Sequence, residues 1–123
     1  MLVEKTLFGT IDKVKIAIER LQAFVPAEGY YGAFSGGKDS ITIYRLVQMA
    51  DVKCDWHYNI TTVDPPELVQ FIKRQYPEVQ RDHPARSMWE MIREYHFPPM
   101  RQRRYCCREL KETGGHGRLI VTG

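Results

Sequence analysis

The clearest chemical signature in the chain is the hexapeptide Ser35-Gly36-Gly37-Lys38-Asp39-Ser40. Its two glycines allow the backbone to approach a ligand closely and to adopt positive φ angles. A helix is predicted to begin directly after them, and it would present unpaired N–H groups and the positive end of its dipole to an anion. Ser35 and Ser40 add hydroxyl groups, and Lys38 adds a positive charge. The hexapeptide therefore predicts a loop that binds phosphate or pyrophosphate.

A second phosphate-binding pattern overlaps this loop. Gly32 to Lys38 fits the first seven positions of the Walker A motif, G-x-x-x-x-G-K. The eighth position of that motif is a Ser or Thr that ligates magnesium, and here it is Asp39. A Walker loop also places its first glycine after the strand, whereas Gly32 falls inside a predicted strand. The sequence therefore disfavours a Walker-type nucleotide hydrolase.

The segment from Pro98 to Gly123 is basic, with six basic and two acidic residues in a chain of net charge +3. This imbalance predicts an anionic partner, with phosphate groups the first candidates, and solvated surface charge is the alternative. Arg and Lys are the usual residues at anion sites. We expect phosphate or sulfate to contact three of them, Arg104, Arg108 and Lys111. The cluster from Arg101 to Arg104 is also compatible with RNA, although a lid over the phosphate loop needs fewer assumptions.

Two adjacent cysteines, Cys106 and Cys107, lie inside this basic segment. Positive charge near a thiol lowers its pKa and increases its thiolate character. Neighbouring residues on a helix point ~100° apart, so only one of the two can face a ligand in the loop. We predict that this pair belongs to the substrate side of the site. The alternative is that one cysteine is a core residue and the other has no role.

Metal and hydrolase sites find little support in the sequence. The four histidines are scattered, and a zinc site from Cys106, Cys107 and His116 lacks a fourth ligand and the usual ligand spacing. The chain has no G-x-S-x-G signature of a serine hydrolase. Cys54 is predicted to be a small buried hydrophobic residue.

The elements that must position these residues alternate between strand and helix patterns. Asp64, followed by two prolines and Glu67, predicts a helix start with an N-cap, and Ser87 with Glu90 predicts a capping box. In chain order we predict a helix from Thr10 to Pro26, a strand at 30–34, a helix at 39–50, a strand at 53–60, a helix from Asp64 to Pro77, a strand at 79–83, a helix opened by Ser87, a short helix at 105–112 and a buried strand at 119–121. This alternation predicts an α/β fold, a three-layer open parallel sheet with helices on both faces.

Length and composition bound the class of protein. A chain of 123 residues is the size of one domain. Its 43% hydrophobic and 27% charged residues exclude a disordered, collagenous or coiled-coil protein. No apolar run approaches the ~18 residues that a membrane span needs, and no secretory signal is visible. Three cysteines make a poor disulfide framework, so we expect a reduced, cytoplasmic protein without a membrane partner.

Three motifs give the chain a family resemblance. In its strand–loop–helix context, S-G-G-x-D-S resembles the pyrophosphate loop (PP-loop) of the adenine-nucleotide alpha-hydrolase superfamily, which includes ATP pyrophosphatases and phosphoadenosine phosphosulfate reductases. Asp64-Pro65-Pro66-Glu67 resembles the acidic loop of the reductase branch, with prolines where Asp-Thr-Gly is common. The segment from Arg104 to Lys111 resembles the Arg-aromatic-Cys-Cys…Lys segment before the fourth strand. The resemblance covers about residues 29–123.

The resemblance implies a fold and a ligand. The sheet order would be 3-2-1-4, with the nucleotide over the carboxyl ends of the strands. The loop and Asp64 would bind ATP or an adenylyl sulfate, with Mg²⁺ as cofactor. Two reactions stay open: reductive cleavage of an adenylyl sulfate by a cysteine, and attack on the α-phosphate of ATP with release of pyrophosphate. A non-catalytic nucleotide-binding subunit or regulator is the alternative.

The chain also departs from the family. Members continue for about half a domain after the strand that matches Leu119–Val121, and reductases carry their catalytic cysteine in a C-terminal Glu-Cys-Gly segment that has no counterpart here. Some relatives bind a [4Fe–4S] cluster, which needs four thiolates, so Cys106 and Cys107 cannot hold one alone. The resemblance is therefore to a truncated member whose catalytic residues are unassigned. A free sheet edge predicts a homo-oligomer or a partner subunit.

Overall fold

The computed structural model describes residues 2–123, which form six strands, four α-helices and one π-helical turn. The strands are β1 (Val3–Thr6), β2 (Gly9–Asp12), β3 (Tyr30–Ala33), β4 (Cys54–Asn59), β5 (Gln80–Asp82) and β6 (Ile120–Thr122). The helices are α1 (Lys13–Ala23), α2 (Lys38–Ala50), α3 (Pro66–Gln75) and α4 (Met88–Tyr95), and the π-helix is Cys107–Lys111. In the described chain, no helix has both the length and the apolar character needed to cross a membrane.

Strands β3 to β6 form one parallel sheet in the order β5-β4-β3-β6. Counted among the parallel strands alone, this order is 3-2-1-4. The predicted α/β fold with an open parallel sheet is therefore confirmed. The central strands β3 and β4 end at Ala33 and Asn59, and the edge strand β6 ends at Thr122. All three carboxyl ends meet at the same edge of the sheet, where open α/β sheets bind their ligands.

One face of the sheet carries the main apolar core. Alternate residues of β3 and β4 point to the same side of a strand, so Phe34, Trp56 and Tyr58 face α2 and α3 together. The buried members of this cluster are Phe34, Tyr44, Val47, Trp56, Tyr58, Ile72 and Val79. Gly32 belongs to this packing, because a Cβ there would lie 2.3 Å from Cε3 of Trp56. The packing explains why a glycine stands inside β3, without any Walker loop.

The other face is covered by the segment between α4 and β6. The rings of Tyr31 and His57 stack on it with centroids 4.4 Å apart. Gly114 and Gly115 lie against Tyr31, because a Cβ on either would approach its ring within 3 Å. A second cluster of Met91, Tyr105 and Leu110 holds α4 to the π-helix. The π-helix is joined to the sheet by Asn59 of β4, whose side-chain amide donates a hydrogen bond to the carbonyl of Lys111 (2.8 Å).

Three sequence predictions about the elements are wrong in detail. Thr10 does not cap a helix, since β1 and β2 pair as an antiparallel hairpin and the N-cap of α1 is Asp12. Asp64 does not cap α3, whose N-cap is Pro65 without a side-chain hydrogen bond. The last strand is not buried, because Ile120 is half exposed on the edge strand β6. The capping box of Ser87 and Glu90 is present at α4.

Candidate functional site

A cavity of about 450 Å³ opens at the carboxyl ends of β3, β4 and β6. Its size lies within the range of ~300–1,000 Å³ that small-molecule sites occupy. Ser35 is the residue of the predicted phosphate loop that lines the cavity, and we call the whole loop, residues 35–40, the loop wall. A second group of lining residues, which we call the strand wall, consists of His57, Asn59, Thr61, Asp64, Lys111 and Glu112. The cavity thus joins the loop to polar side chains from three other segments.

The loop wall follows from its glycines and serines. Gly36 has φ +76°, and a Cβ there would lie 2.8 Å from Cδ1 of Leu68. Gly37 is the N-cap of α2, and a Cβ there would meet only the hydroxyl of Ser35 at 3.5 Å. The buried Ser40 donates a hydrogen bond to the Gly37 carbonyl (2.9 Å) and accepts one from Ser35 (3.3 Å). Gly36 is therefore required by the fold, whereas the space around Gly37 is open.

The first turn of α2 lies directly behind this loop. Its N–H groups have no acceptor within the helix, as in the first turn of any α-helix. Lys38 and Asp39 are both exposed on this turn. The backbone of β6 reaches it closely, since a Cβ on Gly123 would lie 2.7 Å from the carbonyl carbon of Asp39. A glycine is therefore the residue that fits between β6 and the loop.

Thr61 supplies a buried hydroxyl group on the strand wall. Its residue is only 5% exposed and lines the cavity. Within residues 2–123, Oγ1 of Thr61 has no hydrogen-bond partner. A buried hydroxyl without a partner costs ~1–3 kcal/mol, so such groups are rare unless a ligand or water satisfies them. This hydroxyl marks the cavity as a place where a polar ligand would be stabilised.

Asp64, which the sequence predicts to bind nucleotide, lines the cavity. Its Oδ2 accepts a hydrogen bond of 2.5 Å from the Tyr58 hydroxyl. Burial, and then this bond, raise the pKa of Tyr58, so the phenol stays protonated and keeps donating. The Tyr58 hydroxyl therefore fixes the position of the Asp64 carboxylate near the carboxyl end of β4. Asp64 makes this contact instead of capping α3.

His57 is a cavity residue that sequence reasoning missed. It lies on β4, and its Nδ1 is 2.7 Å from Oδ2 of Asp82 on β5. The partner could not be identified from the sequence, because the two residues are 25 positions apart and their contact depends on strand register. The one available signal was the polar face of β4, where Asp55, His57 and Asn59 alternate with apolar residues.

The predicted anion ligands are not brought together. Lys111 lines the cavity, and its carbonyl accepts a hydrogen bond from Asn59 (2.8 Å). Arg104 and Arg108 instead line a separate depression beside Phe97. Arg118 is structural, since its guanidinium binds Asp55 (2.9 Å) and backbone carbonyls at the far end of the sheet. Of the predicted set, Lys111 is the residue that lines the cavity.

The two adjacent cysteines differ in environment, and neither lines the cavity. Cys106 packs against the second apolar cluster, and burial raises its pKa. Cys107 accepts a hydrogen bond from Arg104 (3.4 Å), which lowers its pKa. Cys54 lies at the opposite end of β4, where burial raises its pKa to about 12. Cys107 is therefore the cysteine whose pKa is lowered, and it lies outside the cavity.

A magnesium ion fits the donor set that the cavity offers. Mg²⁺ bound to a nucleotide takes its ligands from phosphates, water and one or two protein carboxylates. Asp64 and Glu112 are the carboxylates that line the cavity. Among residues 2–123, no cluster of three or more metal-ligating side chains occurs.

Comparisons of the chain with protein-family models, with curated proteins and with solved structures find no match. The interpretation of the cavity therefore depends on its own residues and geometry.

Proposed function

We propose that this protein binds ATP in the cavity, with the phosphates against the loop wall, and cleaves it at the α-phosphate with release of pyrophosphate. The observation that carries the proposal is the hydroxyl of Thr61, which is more than nine-tenths buried, has no hydrogen-bond partner among residues 2–123, and belongs to the cavity that Ser35 of the phosphate loop also lines. A helix N-terminus alone binds anions weakly and without selectivity. A buried donor beside it supports a specific polar ligand.

The loop wall would bind phosphate mainly through its backbone. Open space around Gly37 allows a phosphate oxygen to approach the first-turn N–H groups of α2. Lys111 would add a positive charge from the strand wall, and Asp64 with Glu112 would hold Mg²⁺ on the phosphates. When bound, Mg²⁺ would neutralise phosphate charge and stabilise the leaving pyrophosphate. Cleavage of this kind needs positioning and electrostatic stabilisation more than a covalent catalyst.

The cavity residues support ATP cleavage better than reductive cleavage of an adenylyl sulfate. A reductive mechanism requires a thiol at the ligand, and Cys107, the cysteine with the lowered pKa, lies outside the cavity. The imidazole of His57, by contrast, lines the cavity at the end of β4. An imidazole can move a proton during attack on a phosphate, but it cannot reduce sulfate.

The proposal is tested by calorimetric titration with ATP and Mg²⁺. We expect a Kd between about 1 µM and 1 mM for the wild type. Gly37→Val should weaken binding about 100-fold or more, because its side chain would fill the space that a phosphate needs. Circular dichroism should show the fold intact, since a Cβ at Gly37 meets no other atom closely.

A matched pair of lysine variants provides the control. Lys111→Gln removes the charge that lines the cavity, while Lys73→Gln removes one from the exposed last turn of α3. We expect weaker ATP binding in the first variant and unchanged binding in the second. Unchanged affinity in Gly37→Val, or no ATP binding by the wild type, would refute the proposed site. Adenylyl sulfate bound more tightly than ATP would favour the reductase reaction instead.

A further inference from the structure

We propose that His57 is the proton acceptor of this cavity, and that the second substrate is therefore a protic nucleophile, a hydroxyl, an amine or water. This inference rests on the proposed cleavage of ATP and names the substrate class that the same site would accept. It follows from how β4 and β5 hold the imidazole, and it assigns a role to a residue whose sequence context carries no motif.

The imidazole of His57 is held on two sides. Its Nδ1 lies 2.7 Å from Oδ2 of Asp82, and its ring stacks on Tyr31 at 4.4 Å with an interplanar angle of 15°. The other carboxylate oxygen of Asp82 accepts a hydrogen bond from Gln80 (3.0 Å). Gln80 thus orients the carboxylate of Asp82, and this carboxylate in turn orients the imidazole of His57. Ring plane and ring rotation are both fixed.

The contact with Asp82 uses Nδ1 of His57 and leaves Nε2 available to accept a proton. A carboxylate only accepts hydrogen bonds, so in the neutral ring Nδ1 carries the proton and Nε2 carries the lone pair. Within residues 2–123, no group forms a hydrogen bond with Nε2, and His57 lines the cavity with 17% of its side chain exposed. A histidine that only joined β4 to β5 would not need a side chain that lines the cavity and is partly exposed there.

The charged surroundings suit a group that gains a proton during the reaction. Asp82 would stabilise the imidazolium, as a carboxylate does behind a general base. The other titratable groups that face His57 or share its cavity are Tyr31 on β3, Tyr58 on β4, Asp64 in the loop after β4, and Lys111 and Glu112 after α4. In the proposed complex Lys111 would contact phosphate and Asp64 with Glu112 would hold Mg²⁺, so the charged group in direct contact with the imidazole is Asp82.

The proposed step is a proton-coupled displacement. The nucleophile's lone pair forms a bond to the α-phosphorus, and the bond from that phosphorus to the bridging oxygen of pyrophosphate breaks. The proton of the nucleophile passes to Nε2 of His57. The products are an adenylated acceptor, or AMP when water attacks, together with pyrophosphate and a protonated imidazole. No electrons are transferred, so no oxidant or reductant is required.

The test uses water as the nucleophile and measures AMP formation from Mg-ATP by the whole chain. We expect His57→Gln to lower the rate about 100-fold or more, the usual loss when a general base is removed. ATP affinity should stay within about threefold by calorimetry, since the imidazole acts on the nucleophile. His83→Gln, which alters an exposed histidine away from the cavity, should retain the wild-type rate.

A rescue experiment separates proton transfer from a structural role. Free imidazole should restore part of the activity of His57→Ala, and the restored rate should rise with pH as the added imidazole loses its proton. Asp82 is a positioning residue, so Asp82→Asn should lower the rate less than His57→Gln and change its pH profile.

The outcomes distinguish the two proposals. A wild type that binds ATP, together with a His57→Gln variant that keeps its rate or a His57→Ala variant that imidazole does not rescue, would overturn the role of His57 alone. A wild type that binds no ATP would overturn the proposed function, and this inference with it.

Discussion

The two walls of the cavity are built in different ways. The loop wall is a continuous run of six residues whose backbone conformation is fixed by Gly36 and Ser40. The strand wall is assembled from side chains that are far apart in the sequence, with His57 and Thr61 on or after β4 and Lys111 on the π-helix. Binding by the first depends on main-chain shape, whereas chemistry at the second depends on strand register and side-chain contacts.

This difference has a practical consequence for mutagenesis. Changes in the loop wall act on the backbone, so they affect either the fold or the access of a ligand, according to which glycine is replaced. Changes in the strand wall act on single side chains, so they separate stability from binding and from proton transfer. The predictions below test this contrast, from the largest expected effect to the smallest.

The largest effect is expected for Gly36→Ala. Its φ of +76° is strained for any residue with a side chain, and the new Cβ would lie 2.8 Å from Leu68. We expect a loss of about 2–4 kcal/mol in the free energy of unfolding, measured by chemical denaturation. Gly37→Ala is the matched control and should lose less than about 1 kcal/mol. Equal losses in the two variants would mean that the loop is not built as described.

A smaller loss is expected where the strand wall is anchored. Glu109 joins the π-helix to α4, accepting hydrogen bonds from Tyr95 (2.5 Å) and from Arg86. The Tyr95 bond and the arginines lower the pKa of Glu109 from its ordinary value of 4.5. Glu109→Gln should lower the free energy of unfolding by about 1 kcal/mol near neutral pH. The loss is smaller than for a fully buried pair because solvent screens these partly exposed groups.

The pH dependence of that loss has a defined sign. A lowered carboxyl pKa contributes stability that is fully present above 4.5 and is lost as the pH falls through the lowered pKa of Glu109. The difference between wild type and Glu109→Gln should therefore shrink below pH 4.5. Thermal melts at several pH values measure it. A difference that stayed constant down to pH 2 would contradict this account of the anchor.

Thr61→Val is expected to have opposite effects on stability and on binding. Its hydroxyl is buried and has no hydrogen-bond partner within residues 2–123, so its removal should raise the free energy of unfolding of the ligand-free protein by about 0.5–1 kcal/mol. The same change should weaken ATP binding, because the ligand would lose a hydrogen bond. Denaturation and calorimetry on one preparation measure both. Thr61→Ser, which keeps the hydroxyl, should bind ATP like the wild type.

The last prediction concerns reactivity outside the cavity. Cys107 should react with iodoacetamide faster than Cys106 or Cys54, since Arg104 lowers its pKa while burial raises the other two. Saturating ATP should leave the rate at Cys107 unchanged, because this residue does not line the cavity. Mass spectrometry of each peptide follows the reaction. Protection of Cys107 by ATP would place it on the substrate side of the site, as the sequence predicted.

How much the sequence could predict follows from the same contrast between the walls. The loop wall was predictable because Gly36, Gly37 and Ser40 fall within one run of six residues at the junction of a strand and a helix. The α/β class with an open parallel sheet was predictable as well, because strand and helix patterns alternate along the chain. The pair of His57 and Asp82 was not predictable, because it depends on a register that the sequence does not encode locally. The basic segment predicted one shared anion site for Arg104 and Lys111. In the structure the two residues line different pockets, although they are close in the sequence.

The central claim is that the loop wall binds the phosphates of ATP, and amide shifts in ¹H–¹⁵N spectra test it most directly. On titration with Mg-ATP, the account predicts the largest shifts at the amides of residues 36–40, with Thr61 also affected and Arg108 nearly unchanged. Shifts that are absent from residues 36–40, or largest in the depression around Arg104 and Arg108, would contradict it.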